Sequence, residues 1–180
     1  MIPIFAKVLN GTGGARDATE DELAKGASEQ GVIWLHLDYA EEATAGWLRT
    51  VGGLDEVSIE ALTTPDPRPR SLLCGDALLV ILRGVNTNEG SDPEDMVSLR
   101  AWAERDRVIT LRHRRLASVQ EIAQQFDKGN GPVDSGDLLH EFVDRMLDRI
   151  GALTEEIEDS VDDLEEQILS AEGREIRTRL

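Results

Sequence analysis

The side chains of this 180-residue sequence best suited to chemistry are carboxylates, and they are ordered. Asp137, Glu141, Asp144 and Asp148 are spaced 4, 3, 4, and Glu155, Asp159, Asp162 and Glu166 repeat that spacing further on. At the helical period each set falls on one face. From Gly151 to Gly173 there are nine acids, Asp163 and Glu165 among them, and no Lys or Arg. An ordinary solvated face interleaves bases for i,i+4 pairing. The run therefore has two readings: a solubilising face, or a low-affinity sink for hydrated divalent cations, which carboxylate oxygens suit. In the second reading Glu155, Asp159, Asp162 and Glu166 hold the ion with help from Asp163 and Glu165. Binding is expected to be weak, because no EF-hand loop is present to enclose it.

Other candidate groups are scattered. His140, four residues before Asp144, brings an imidazole and a carboxylate together as a half-site for zinc that needs further ligands. His36 alternates with Trp34 on a predicted strand and reads as packing, while His113 lies among Arg112, Arg114 and Arg115, which repel a cation. Cys74 is the single cysteine, so no internal disulfide forms; it reads as a small core residue. Arg100, Arg105, Arg107, Arg112, Arg114 and Arg115 make one basic patch, expected to pair with surplus acids of a neighbouring helix or subunit. Trp34, Trp47 and Trp102 are not interleaved with it as base-stacking platforms would be. There is no His-Glu-x-x-His, phosphate loop or nucleophile elbow, and Asn10–Gly14 lacks the third glycine position and the lysine. The chain is not expected to be an enzyme, and no cofactor is expected beyond weakly bound zinc or magnesium.

Composition narrows the class. Apolar residues are 40% and charged residues 31%, the balance of a folded chain. Acids outnumber bases 36 to 19, for a net charge of -17, which argues against nucleic acid and for cations or basic surfaces as partners. The excess is uneven: residues 135–180 hold 14 acids against five bases. The longest apolar run, Ala77 to Leu82, is far short of the roughly 20 residues of a membrane span, and Met1 to Lys7 has no secretory character.

The elements that must position these residues follow from period and punctuation. Ile2–Leu9 and Val32–Asp38 read as strands, with a helix of about ten residues between them behind a Thr19–Glu22 capping box. Glu41–Val51 and Asp55–Thr63 read as helices, stopped by Pro65, Pro67 and Pro69. Ser71–Cys74 and Ala77–Arg83 form a hairpin around Gly75–Asp76, the second strand placed centrally by its continuous apolar run. Met96–Ala103 and Arg107–Arg112 are strands, and Leu116–Phe126 is a helix. This is an α+β or α/β fold class, a mixed sheet covered by helices in an α/β/α layer, followed by a long helical rod. From Ser135 the stripe Leu139, Val143, Met146, Ile150, Leu153, Ile157, Val161, Leu164 and Ile168 is heptad-like with a local stutter before Val161. Residues 1–130 are read as the α/β domain and 135–180 as the acidic helical segment. The rod is expected to self-associate. Gly173 interrupts it, and Thr178–Leu180 has no stop signal, so the chain is read as a fragment of something longer.

Residues 68–116 bear a resemblance. Arg68-Pro-Arg70, Leu79-Val-Ile-Leu-Arg-Gly-Val-Asn86, Pro93-Glu-Asp-Met-Val-Ser-Leu-Arg100 with Trp102, and Arg107-Val-Ile-Thr-Leu-Arg-His-Arg-Arg-Leu116 resemble the cytoplasmic domain of CorA-type transporters, most of all the zinc-transporting ZntB branch. The helix layout extends the resemblance over nearly the whole chain. It implies a sensing and gating domain of a divalent-cation transporter on the cytoplasmic side of a bacterial inner membrane. It further implies a pentameric homo-oligomer and a membrane reached only through spans and a stalk beyond residue 180, where the Gly-Met-Asn pore motif also lies. The alternative is a non-transport coiled-coil adaptor.

Overall fold

Short β-branched and aromatic runs become seven strands in a computed structural model that describes residues 3–88, 90, 91 and 95–169. They are β1 (Phe5–Leu9), β2 (Ala15–Asp17), β3 (Ile33–Asp38), β4 (Arg70–Cys74), β5 (Ala77–Gly84), β6 (Val97–Ala103) and β7 (Arg107–Arg112). One sheet holds them in the order β2-β1-β3-β7-β6-β5-β4. Every neighbouring pair is antiparallel except β3–β7, which runs parallel with Ile33 opposite Arg107 and Asp38 opposite Arg112.

Five helices accompany the sheet: α1 (Glu20–Lys25), α2 (Glu42–Thr50), α3 (Glu56–Thr63), α4 (Ala117–Asp127) and α5 (Ser135–Leu169). On one face Trp47 and Leu48 of α2 and Ile59 and Leu62 of α3 pack on Leu35, Leu37, Leu79, Ile81 and Ile109. On the other, Val119, Ile122 and Phe126 of α4 and Leu138, Phe142 and Met146 of α5 pack on Trp34, Val97, Leu99 and Val108. The result is the α/β/α layer with a mixed sheet and a long C-terminal helix that the sequence implies.

Several details depart from expectation. α1 has only six residues, because Gly26 takes a left-handed conformation and ends it, although its Thr19–Glu22 capping box forms as read. β2 was not foreseen: it is three residues, Ala-Arg-Asp, with no apolar pattern, and it exists by pairing with β1. β5 is second from the sheet edge rather than central, and its burial alternates, so Leu78, Val80 and Leu82 are only half-buried. β4 takes the edge, with Leu72 and Leu73 exposed, and Cys74 is half-buried at the margin of the core rather than inside it.

α5 is continuous through Ser160, so the stutter does not break it. The residues that enter the core are Leu138, Phe142 and Met146, spaced 4, 4, whereas the expected stripe began at Leu139, which is half-buried, and Val143, which is exposed. The aromatic Phe142, meeting Trp34 at 5.7 Å between ring centroids, decides this register. Two compact units divide between Met146 and Leu147. Ile2, Pro93, Glu94, Gly173 and the Arg174–Leu180 segment lie outside the described residues.

Candidate functional site

In the unit beginning at Leu147, α5 carries Glu155, Asp159, Asp162 and Glu166 within an arc of roughly 60°, from 100° per residue. Asp163 and Glu165 flank that arc, one on each side at about 80° from Glu155. All six are exposed, and among the described residues none has an ion-pair partner. The helix thus presents three like-charged i,i+3 or i,i+4 contacts in a row, an arrangement that costs about 0.2–0.5 kcal/mol per pair. A divalent cation that screens the row relieves that cost.

The arrangement does not enclose an ion. Among the described residues no three His, Cys, Asp or Glu side chains converge so as to hold a metal. His140 and Asp144 are likewise exposed neighbours on α5, one turn apart, and nothing among the described residues completes them as a zinc site. What the acidic row can do is concentrate hydrated cations without stripping their water, since single carboxylates on one helix lack the six to eight oxygens of a closed calcium site.

The remaining candidates are placed differently from one another. His36 is buried, as packing demanded, and Thr110 explains how. Its Oγ1 lies 2.8 Å from Trp34 Nε1 and 2.8 Å from His36 Nδ1, and its own hydroxyl faces the Leu35 carbonyl at 3.4 Å. If the indole N–H and a His36 Nδ1–H both donate to Oγ1, the hydroxyl proton goes to Leu35 and only the Nε2 lone pair is left without a partner. An orphaned lone pair costs less than an orphaned N–H, so this is the tautomer the network selects. Burial, and secondarily the charge of Arg112, push the imidazole down to about 3.

The arginines do not form one patch. Strand alternation sends neighbours to opposite faces of the sheet. Arg107 binds Glu104 at 2.7 Å and the Gly52 carbonyl at 2.8 Å, Arg114 reaches Asp95 at 3.3 Å, and Arg115 bonds Gln120. Arg100 is fully buried on β6, its guanidinium carbon 3.6 Å from the centroid of the Tyr39 ring. Sequence reasoning missed that burial, since arginine is almost never fully buried unless paired.

No described helix is long and apolar enough to cross a membrane. Residues 29–180 match the family described as CorA-like Mg2+ transporter protein. A curated relative, the divalent cation transporter CmaX of Pseudomonas aeruginosa, is 38% identical over 92% of this chain and 50% of its own length. The solved full-length CmaX protein superposes with a TM-score of 0.84, at 38% identity, over 92% of this chain and 51% of that one. The ZntB cytoplasmic domain from Vibrio parahaemolyticus superposes with a TM-score of 0.77 at 25% identity, covering 91% of this chain and 65% of that one. The chain spans about half the length of the curated relatives it matches. A seven-stranded mixed sheet between helices, a long acidic C-terminal helix and a match over 152 residues place this chain in the CorA-like transporter family.

Proposed function

We propose that this chain is the cytoplasmic sensing and gating domain of a divalent metal cation transporter, for zinc or magnesium, whose acidic helix draws cations toward the pore entrance. The observation that carries the reading is α5 from Gly151 to Leu169: eight acids, no base and no ion pair among the described residues, in a chain of this family. A surface of one sign raises the local concentration of counter-ions. Cations bridging carboxylates of adjacent copies favour one arrangement over another by their differential affinity, which is the physical content of gating. In this reading the chain is not an enzyme and needs no cofactor. It works as a homo-oligomer, a pentamer for the full-length protein, and meets the bacterial inner membrane only through spans outside these 180 residues. Nucleic acid is not a partner of a chain carrying a net charge of -17.

A coiled-coil adaptor is the second reading, favoured by the exposure of Leu147, Ile157, Val161 and Leu164 on the same unit. Two measurements decide between them. Mg²⁺ at millimolar concentration is expected to raise the midpoint of the helix melt more than NaCl of equal ionic strength. The combined variant Glu155→Gln, Asp159→Asn, Asp162→Asn, Glu166→Gln removes three repulsive contacts. It is expected to gain about 1 kcal/mol, or about 2–4 °C, without metal and to lose the difference between the salts. An unchanged Mg²⁺ response in that variant moves the cation contacts to His140 and Asp144. Proteoliposomes carrying the full-length protein are expected to take up divalent metal, and absence of uptake favours the adaptor.

A further inference from the structure

The two edges of the sheet differ in kind. β2 is three residues long, and its charges are already paired, Arg16 with Glu22 at 2.7 Å and Asp17 with Lys7 at 3.1 Å. Short, charged edges of this sort discourage a further strand. β4, at the other end, is five residues long and leaves Leu72 47% and Leu73 79% exposed. Among the described residues no strand lies beyond it, and no loop backbone bonds to Ser71 or Leu73.

The hairpin register tells which backbone groups of β4 are unused. Cys74 faces Ala77 across a two-residue turn, with Gly75 at φ 63°. The turn makes these two a hydrogen-bonded pair, and bonded and non-bonded pairs alternate from there along an antiparallel ladder. Cys74, Leu72 and Arg70 therefore direct their N–H and C=O groups at β5, while those of Leu73 and Ser71 point outward. The sequence around them complements itself. Laid antiparallel on a second copy about Leu72, Arg68-Pro-Arg-Ser-Leu-Leu-Cys-Gly-Asp76 sets Ser71 opposite Leu73, Leu72 opposite Leu72 and Arg68 opposite Asp76. Ser71 and Leu73 then meet as bonded pairs, each exchanging both bonds, and Leu72 meets its counterpart as a non-bonded pair, where side chains approach most closely. A register centred on Ser71 would set Pro69, which has no N–H, against Leu73, and one centred on Leu73 would set Ser71 against the turn at Gly75. Arg68 and Asp76 are exposed, and neither has an ion pair among the described residues.

We propose that β4 is a docking edge for β4 of a second copy, the two strands pairing antiparallel about a two-fold axis at Leu72. The contact is isologous, so the Arg68–Asp76 pair forms at both ends of it. An edge of five residues buries little area, and the dimer is accordingly weak and concentration-dependent. Each copy carries a net charge of -17, which physiological salt screens over about 8 Å. Such a contact joins copies two by two and does not close a ring of five; in a pentameric protein it links one ring to another. None of its residues lies on α5, so the proposal stands apart from the transport reading.

Cys74 is the single cysteine, so Cys74→Ser gives a chain free of thiols. In that background Leu72→Cys puts one thiol from each copy beside the two-fold axis, directly opposed and near disulfide reach. Mild oxidation at high micromolar chain is expected to yield a covalent dimer at least about tenfold faster than Arg16→Cys on the β2 edge, because pairing raises the effective concentration of the two thiols. Sedimentation equilibrium of the otherwise unmodified chain is expected to show a dimer that Ser71→Pro abolishes; that change removes an outward N–H and no bond within the hairpin, so the monomer keeps its fold. Arg68→Asp and Asp76→Arg are each expected to weaken the dimer severalfold, and the double variant to restore it. Within one copy the two positions are roughly 20 Å apart along the strand, at about 3.3 Å per residue, so restoration acts between copies. A chain that stays monomeric at high micromolar concentration overturns the proposal. So do crosslinking of Leu72→Cys no faster than that of Arg16→Cys, a charge swap that fails to restore the dimer, and association that Ser71→Pro leaves intact, which belongs to another surface.

Discussion

The His36 network makes the sharpest energetic prediction. Its imidazole is buried, spends its one N–H on Thr110, and has no partner at Nε2, with Phe5 stacked 5.1 Å away. Protonation there places an N–H with no acceptor beside the charge of Arg112, and the group is held down at about 3, against 6.5 for the unfolded chain. The unfolded state thus binds more protons throughout that window. Stability from this residue is complete above pH 6.5 and falls as pH drops toward 3. Between pH 7.5 and 5 the loss is 1.5 pH units below the unfolded value, about 2 kcal/mol at 1.36 kcal/mol per unit. Carboxylates titrate mostly below this range, and relief of the net negative charge acts in the opposite direction in any variant. Urea unfolding followed by tryptophan fluorescence at pH 7.5, 6 and 5 measures the loss. His36→Asn, which keeps a donor toward Thr110 but has no titrating ring, is expected to be flatter by about 2 kcal/mol over the same interval. A variant that loses as much as the parent, or a His36 ring proton titrating above pH 5.5, would falsify the argument.

Two further substitutions probe how the scaffold is held. Phe142→Ala is expected to cost about 3–5 kcal/mol, whereas Ile157→Ala on the exposed part of the same helix is expected to stay within about 0.5 kcal/mol, both read by urea denaturation. Gly31→Ala places a methyl carbon 2.0 Å from the Leu9 carbonyl oxygen, a backbone atom that cannot yield, and is expected to cost about 3 kcal/mol; Gly11→Ala, with open space around it, is expected to cost about 1 kcal/mol from its positive φ alone.

Local rules carried most of the element positions. Arg107–Arg112 came out with its bounds as read, and the Thr19–Glu22 box formed, because both depend on neighbours in sequence. β2 stayed hidden because a strand of Ala-Arg-Asp has no signal of its own; its partner β1 makes it. The entry of α5 into the core was misplaced by one residue since Leu138 and Leu139 are chemically equivalent, and only the position of Phe142 against Trp34 separates them. The acidic row was legible in full, being a matter of spacing along one helix. The burial of Arg100 against the Tyr39 ring was not, because it depends on how β6 packs in the sheet and composition argues against a buried arginine.

The single parallel ladder also has a kinetic meaning. β1 to β3 and β4 to β7 are two antiparallel blocks, each assembled from pairings between strands close in sequence. They meet only at β3–β7, where His36 and Thr110 are 74 residues apart. Hairpins close in microseconds, but joining the blocks must first meet the entropy of a long loop. The contact order of the domain is therefore concentrated at one seam, and the rate at which this sheet folds is set by how often the two blocks collide in register. The buried Trp34–Thr110–His36 bonds lie on that seam, so they reward only the correct register: a one-residue slip would put Thr110 on the opposite face of the sheet from Trp34 and His36.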